Sequence, residues 1–67
     1  QNIKKYRKKI DLTQEQLANK CNLSYGYIKN LEAKKVHTTI SIETLELIAN
    51  NLGIKITQLL EEQKNDN

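Results

Sequence analysis

TQEQLANKCNLSYGYIKNLE, residues 13–32, holds two short helical segments, each opened by its own cap, with almost nothing between them. Thr13 and Gln16 have the spacing of a capping box, in which the hydroxyl and the side-chain amide each satisfy a backbone group of the first turn. Leu12 before the cap and Leu17 one turn in form a hydrophobic staple. Leu17, Ala18 and Cys21 then make an inward stripe. The arrangement repeats at Ser24, an N-cap with Leu23 before it and Ile28 four residues beyond it. Asn22 between the segments suits a left-handed turn residue. So short a connection forces a sharp angle between the helix axes, and Ala18 is small where they approach. The spacing is that of a helix-turn-helix unit, although two core helices with no ligand would also satisfy it.

Ile28 and Leu31 face inward on the second of these helices, which puts Tyr25, Gly26, Lys29 and Asn30 on its outer side. Asn30 can pair its amide with adenine in a bidentate way. Tyr25 can donate a hydrogen bond or pack on a thymine methyl, and Lys29 can reach a phosphate or a guanine. Gly26 costs a helix about 1 kcal/mol relative to alanine. It is either a neutral glycine or one kept for close approach of the backbone to DNA. Tyr27 reads as half-packed on the bundle with its hydroxyl at the phosphate backbone.

Working outward, residues 2–9 form a first helix with Ile3, Tyr6, Arg7 and Ile10 along one side, ended by Asp11. Residues 34–39 are a polar loop carrying Lys34, Lys35 and His37. Ser41 or Thr39 caps a fourth helix, with Glu43 in its first turn. Its inward stripe is Ile42, Leu45, Ile48, Ala49 and Leu52, and Gly53 stands at the C-terminal cap. A short last helix over residues 56–62 offers Ile56, Leu59 and Leu60. The sequence thus predicts an all-α fold, a compact bundle of about five short helices containing a helix-turn-helix. Residues 1–60 form the domain and residues 61–67 a polar tail.

At 67 residues the chain suits one small domain, whose core is marginal unless tightly packed. Cys21 is the only cysteine and His37 the only histidine, so no internal disulfide and no metal-ligand pattern is expected. Cys21 falls on the apolar stripe and reads as core. No apolar run is long enough to span a membrane. The net charge is +3, unevenly spread: residues 1–35 hold nine basic and three acidic side chains, and residues 36–67 two and five. A basic front half suggests a polyanion bound on one side. Lys4, Lys5, Lys8 and Lys9 either solvate the first helix or flank a phosphate backbone. Glu43, Glu46, Glu61 and Glu62 read as solvated. No nucleophile with a base and no glycine-rich phosphate loop is present, so no enzyme is expected.

From Ile3 to Leu60 the chain resembles the Cro/phage-repressor family of helix-turn-helix domains. Arg7, LTQEQLA at 12–18, NLS at 22–24, YIKNLE at 27–32 and LELIANNLGI at 45–54 carry the likeness. The family often has glycine where Asp11, Asn22 and Lys34 stand, the stretch from Lys34 to Ile40 is about two residues longer than usual, and Lys55 replaces the usual cap before the last helix. The resemblance implies a transcriptional regulator, a repressor, that occupies a double-stranded DNA operator through a recognition helix in the major groove. Tyr25, Gly26 and Asn30, with Lys29, match or flank the base-reading positions. Gln14, Ser24, Tyr27, Lys34, Lys35 and His37 are the expected phosphate-binding residues. Arg7 and Glu32 occupy the places of an ion pair between the first helix and the recognition helix. The resemblance further implies a homodimer, with Ile54, Ile56, Leu59 or Leu60 at its surface, no cofactor or small-molecule ligand, no membrane, and a cytoplasmic location. An antitoxin or protein-interaction adaptor on the same fold is the alternative.

Overall fold

The three central helices of this protein start where the sequence supplies a capping side chain. The structure, a computed structural model, describes residues 2–33 and 40–61. The elements are α1 (Ile3–Lys9), α2 (Gln14–Cys21), α3 (Tyr25–Ala33), α4 (Ile42–Leu52) and α5 (Ile56–Leu60), and the described residues contain no strand. The chain is all-α, as its periodicity requires. The positions of Lys34, Lys35, His37, Thr39 and Glu62 lie outside the described residues.

At the start of α2, Thr13 Oγ1 accepts the Gln16 backbone N–H at 3.0 Å and Gln16 Oε1 accepts that of Thr13 at 2.9 Å. Ser24 Oγ accepts the Tyr27 N–H at 3.1 Å, and Ser41 Oγ that of Thr44 at 3.1 Å. At α5 no side chain of Lys55 caps the helix, but Gln58 Oε1 accepts the Lys55 N–H at 3.1 Å, so half of a capping box survives the missing cap residue.

Three helices end in the same way. Asp11 and Asn22 both have φ of 58°, and Gly53 has φ of 73°. In each case the following residue reaches back a full turn: Leu12 N–H to Arg7 O at 3.2 Å, Leu23 N–H to Ala18 O at 2.9 Å, Ile54 N–H to Ala49 O at 3.0 Å. These are Schellman closures, which satisfy carbonyls that the helix end would otherwise leave free. Asp and Asn tolerate the left-handed conformation because their short polar side chains can bond locally. That is how the chain makes both tight turns around α2 without glycine.

The core gathers one face from every helix: Ile3 and Tyr6, Leu17, Ala18 and Cys21, Ile28 and Leu31, Leu45, Ile48, Ala49 and Leu52, and Leu59. The staple residues Leu12 and Leu23 are half-buried against it. α2 packs most extensively on α3, α4 on α5, and α1 lies against both α3 and α4. Asn2 closes the bundle, its N–H donating to Leu59 O at 3.1 Å and its Nδ2 to Glu61 O at 2.6 Å. The radius of gyration, 11.3 Å, matches the roughly 11 Å of a packed chain of this length.

Three expected inward positions are corrected. Ile10 is 45 % exposed, because the chain leaves helical geometry there (φ −110°, ψ 18°) and the side chain departs from the α1 stripe. Ile42 is 59 % exposed. It sits in the first turn of α4, roughly 70° off the axis of the stripe made by Leu45, Ile48, Ala49 and Leu52. In the short α5, Leu59 and Leu60 are about 100° apart, so only one can point inward. Leu59 is fully buried and Leu60 is 49 % exposed, which removes Leu59 from any surface open to a partner.

Arg7 is a buried charged residue, and its guanidinium joins three parts of the fold. Nε donates to Glu32 Oε2 at 2.7 Å and Nη2 to Glu32 Oε1 at 2.9 Å, while Nη1 donates to Leu12 O at 2.6 Å. The two side chains are only 9 % and 2 % exposed. Burial pushes the Glu32 carboxyl upward, but the hydrogen bonds from Arg7 and Gln14 and the nearby charges of Arg7 and Lys4 override it, holding it below its ordinary value. The Arg7 guanidinium is held more firmly charged, first by its bond to Glu32 and against the penalty of burial.

Two stability predictions follow from these contacts. Asn22→Ala should lower unfolding free energy by about 1 kcal/mol, and Asn22→Gly should not, since alanine keeps a Cβ at positive φ but loses the polar side chain that eases it, whereas glycine has no Cβ to strain. Removing one partner of the bridge, as in Arg7→Ala or Glu32→Ala, should cost about 3–5 kcal/mol, while Arg7→Met with Glu32→Leu together should cost less than either alone. Because Glu32 ionises below its ordinary value when folded, its contribution is complete above the ordinary carboxylate range and fades as pH falls through the lowered value. Urea titrations at neutral pH, repeated stepwise into acid, measure each effect, and Glu32→Ala should flatten the acid slope.

Candidate nucleic-acid interface

With Ile28 and Leu31 buried, the helical repeat turns Tyr25, Gly26, Lys29 and Asn30 to solvent, and all four are exposed. Lys29 Nζ lies 5.8 Å from the centre of the Tyr25 ring, one helical turn earlier. This cation–π contact sets both side chains along one edge of α3. Asn30 stands on the other edge, one turn after Gly26. A Cβ built on Gly26 meets nothing within 4 Å, so no packing inside the protein requires glycine there. The helix backbone is therefore bare at the centre of the outward face, flanked by an ammonium and a phenol on one side and a carboxamide on the other.

Ser24 and Tyr27 border this face. Ser24 is exposed and its oxygen is engaged as the α3 cap, which leaves its own O–H free to donate. Tyr27 is half-buried and packs on the core. Gln14, the first residue of α2, is also half-buried, and its Nε2 donates to Glu32 Oε1 at 3.0 Å. Arg7, Glu32 and Gln14 thus form one connected group behind the outward face of α3. On α1, Lys5 and Lys9 set their ammonium groups 5.3 and 5.4 Å from the Tyr6 ring. Lys4, Lys5, Lys8 and Lys9 are all exposed.

The Gln14–Glu32 bond has no signature in the sequence. The two residues are 18 positions apart on different helices, so no local spacing announces it. The Lys29–Tyr25 contact did leave a signal, because the two residues are four apart on one helix. Cys21 is buried, and burial pushes its thiol up, only partly offset by Lys20, which makes it a poor nucleophile. Among the described residues no group of three or more His, Cys, Asp and Glu could hold a metal ion, and no helix is long and apolar enough to cross a membrane.

This arrangement can offer hydrogen-bond donors and positive charge along an exposed helix and at the start of the helix before it. Such a surface suits the edges of bases and the phosphates beside them. The immunity repressor protein of Bacillus phage phi105 is 41 % identical over 63 residues, a match that covers 94 % of this chain and 42 % of the phage protein. The chain therefore spans less than half the length of that relative. No solved structure matches it. A family model described as helix-turn-helix matches residues 3–59, from the start of α1 to the buried Leu59 of α5, and the chain belongs to that helix-turn-helix family, of the Cro/phage-repressor type.

Proposed function

We propose that this chain binds double-stranded DNA sequence-specifically and represses transcription by occupying an operator, with α3 in the major groove. The observation that carries the reading is the outward face of α3, where Tyr25, Gly26, Lys29 and Asn30 are exposed around a backbone left bare for no internal reason. The family match and the likeness to a phage immunity repressor support it. Asn30 and Tyr25 read base edges, Lys29 reaches a guanine or a phosphate, and Gly26 allows close approach. Gln14, Ser24, Tyr27, Lys34, Lys35 and His37 hold the phosphate backbone. The chain works as a regulator rather than an enzyme, and its place is the bacterial cytoplasm, where the DNA is.

A second copy is the proposed protein partner. A groove of about 410 Å³ between α4 and α5 is lined by Glu46, Ala49, Asn50, Ile54, Lys55 and Ile56. Exposed Leu60 lies one turn beyond Ile56. The groove carries one acid and one base, so two copies related by a two-fold axis can set Glu46 against Lys55 in both directions. A dimer of this kind places half-sites about one helical turn of DNA apart.

Selection from a random duplex library, followed by titrations at several salt concentrations, tests the reading. Log affinity should fall with log salt at about −0.9 per neutralised phosphate, and Lys34→Ala with Lys35→Ala should lower affinity for all sequences and flatten the slope by about 2. Asn30→Ala should instead remove about 1–3 kcal/mol of preference for the selected site and leave non-specific binding nearly intact. Salt-independent binding, or full preference kept by Asn30→Ala, would count against the assignment. Leu60→Glu should shift the chain toward monomer in sedimentation and weaken binding to paired half-sites more than to a single one.

A further inference from the structure

The Glu32 carboxylate lies at the centre of the Arg7–Glu32–Gln14 group. Oε1 takes both Arg7 Nη2, at 2.9 Å, and Gln14 Nε2, at 3.0 Å, while Oε2 takes Arg7 Nε at 2.7 Å. An ionised carboxylate only accepts hydrogen bonds, whereas a carboxamide has one accepting and one donating side. Glu32 therefore admits the Gln14 amide in one of its two flips, nitrogen toward the carboxylate. The reverse flip would set two oxygens against each other. The nitrogen keeps a second N–H, and Gln14 as a residue is only half-buried. A carboxylate this close to DNA would ordinarily repel a phosphate. Here the guanidinium of Arg7 lies on it in a two-bond fork and cancels its charge.

We propose that Glu32 is a positioning residue for a phosphate contact made by Gln14: it fixes the flip of the Gln14 carboxamide, nitrogen toward the carboxylate, and with it the place of the second N–H that the amide offers to a backbone phosphate. This rests on the DNA-binding reading above and adds a role for the bridge beyond stability. The bridge then does two things at once. It holds α1 on α3, and it sets the donor at the start of α2 before DNA arrives, which spares ordering on binding. Glu32→Gln keeps the shape of the side chain but creates a neighbour that donates as well as accepts. Both flips of Gln14 become available, and the phosphate contact loses its fixed donor.

The test compares the unsubstituted chain, Gln14→Ala, Glu32→Gln and the double variant on the selected duplex, at one salt concentration and a temperature where circular dichroism shows each folded. Gln14→Ala should weaken binding about 5- to 10-fold in the presence of Glu32, the size of one ordinary hydrogen bond, and less than about 2-fold beside Glu32→Gln. A duplex with a single methylphosphonate at the phosphate facing Gln14 should bind the unsubstituted chain more weakly, and that penalty should vanish in both single variants. Equal effects of Gln14→Ala in the two backgrounds would overturn the proposal. So would DNA binding unaffected by Gln14→Ala, which leaves the DNA-binding reading standing. Absence of DNA binding by the unsubstituted chain would overturn both. Should Glu32→Gln not fold, nitrogen relaxation of the free, unsubstituted chain decides. The Gln14 side-chain amide should be as ordered as the α2 backbone, and one as mobile as that of exposed Asn19 would overturn the proposal.

Discussion

The buried Arg7–Glu32 bridge is the constraint on which the rest of the structure depends. A guanidinium taken out of water loses a large hydration energy, and only good geometry with every donor direction used repays it. Arg7 comes close to that with a bond from each of its three nitrogens, two to one carboxylate and a third to the Leu12 carbonyl. The acceptors belong to α3 and to the turn between α1 and α2, and the carboxylate in turn holds Gln14 at the start of α2. Three helices are therefore referred to one planar group. Lysine could not replace it, because a point charge on a flexible stem does not fix direction. In so small a chain without a disulfide, apolar burial leaves little margin, and it is non-directional. The bridge supplies the direction.

That direction matters because the connections are so short. Asp11 and Asn22 turn the chain on single left-handed residues, with carbonyls closed by Schellman bonds on both sides of α2. Such turns leave few degrees of freedom, so the angle between α2 and α3 follows from backbone geometry and from Ala18 at their approach. α3 is then held from three sides: by its cap at Ser24, by Ile28 and Leu31 in the core, and by Glu32 on Arg7. Its fourth side is free, and the residues there carry no packing duty. Gly26 shows this most clearly, since an added Cβ would touch nothing.

The charge is separated along the same line. Residues 1–35 carry the excess of basic side chains and residues 36–67 the excess of acidic ones. Of the three acidic residues in the front half, Glu32 is spent on Arg7, which leaves Asp11 and Glu15 against many exposed lysines. The excess of basic side chains on α1, α2 and α3 favours a polyanion there. Exposed large apolar residues occur in both halves, Ile10 and Tyr25 in the basic one and Ile42, Leu47 and Leu60 in the acidic one, so charge is what separates them.

The sequence by itself determined the helices and most of their limits, although α5 stops at Leu60 and not at residue 62. Caps, staples and left-handed turn residues act within a few positions of one another, so Thr13, Ser24, Asn22 and Gly53 could be read before any fold existed. The division of α3 into an inward and an outward side was legible for the same reason, since a period of 3.6 residues is a local property. What only the tertiary structure decided depends on which element stands opposite. Ile10, Ile42 and Leu60 look like core residues from their spacing, yet each lies at a helix end where no other helix covers it, and each is exposed. The sharing of Glu32 between Arg7 and Gln14 joins residues 25 and 18 positions apart. No periodicity records that meeting, because it exists only once α1, α2 and α3 are packed around the same core.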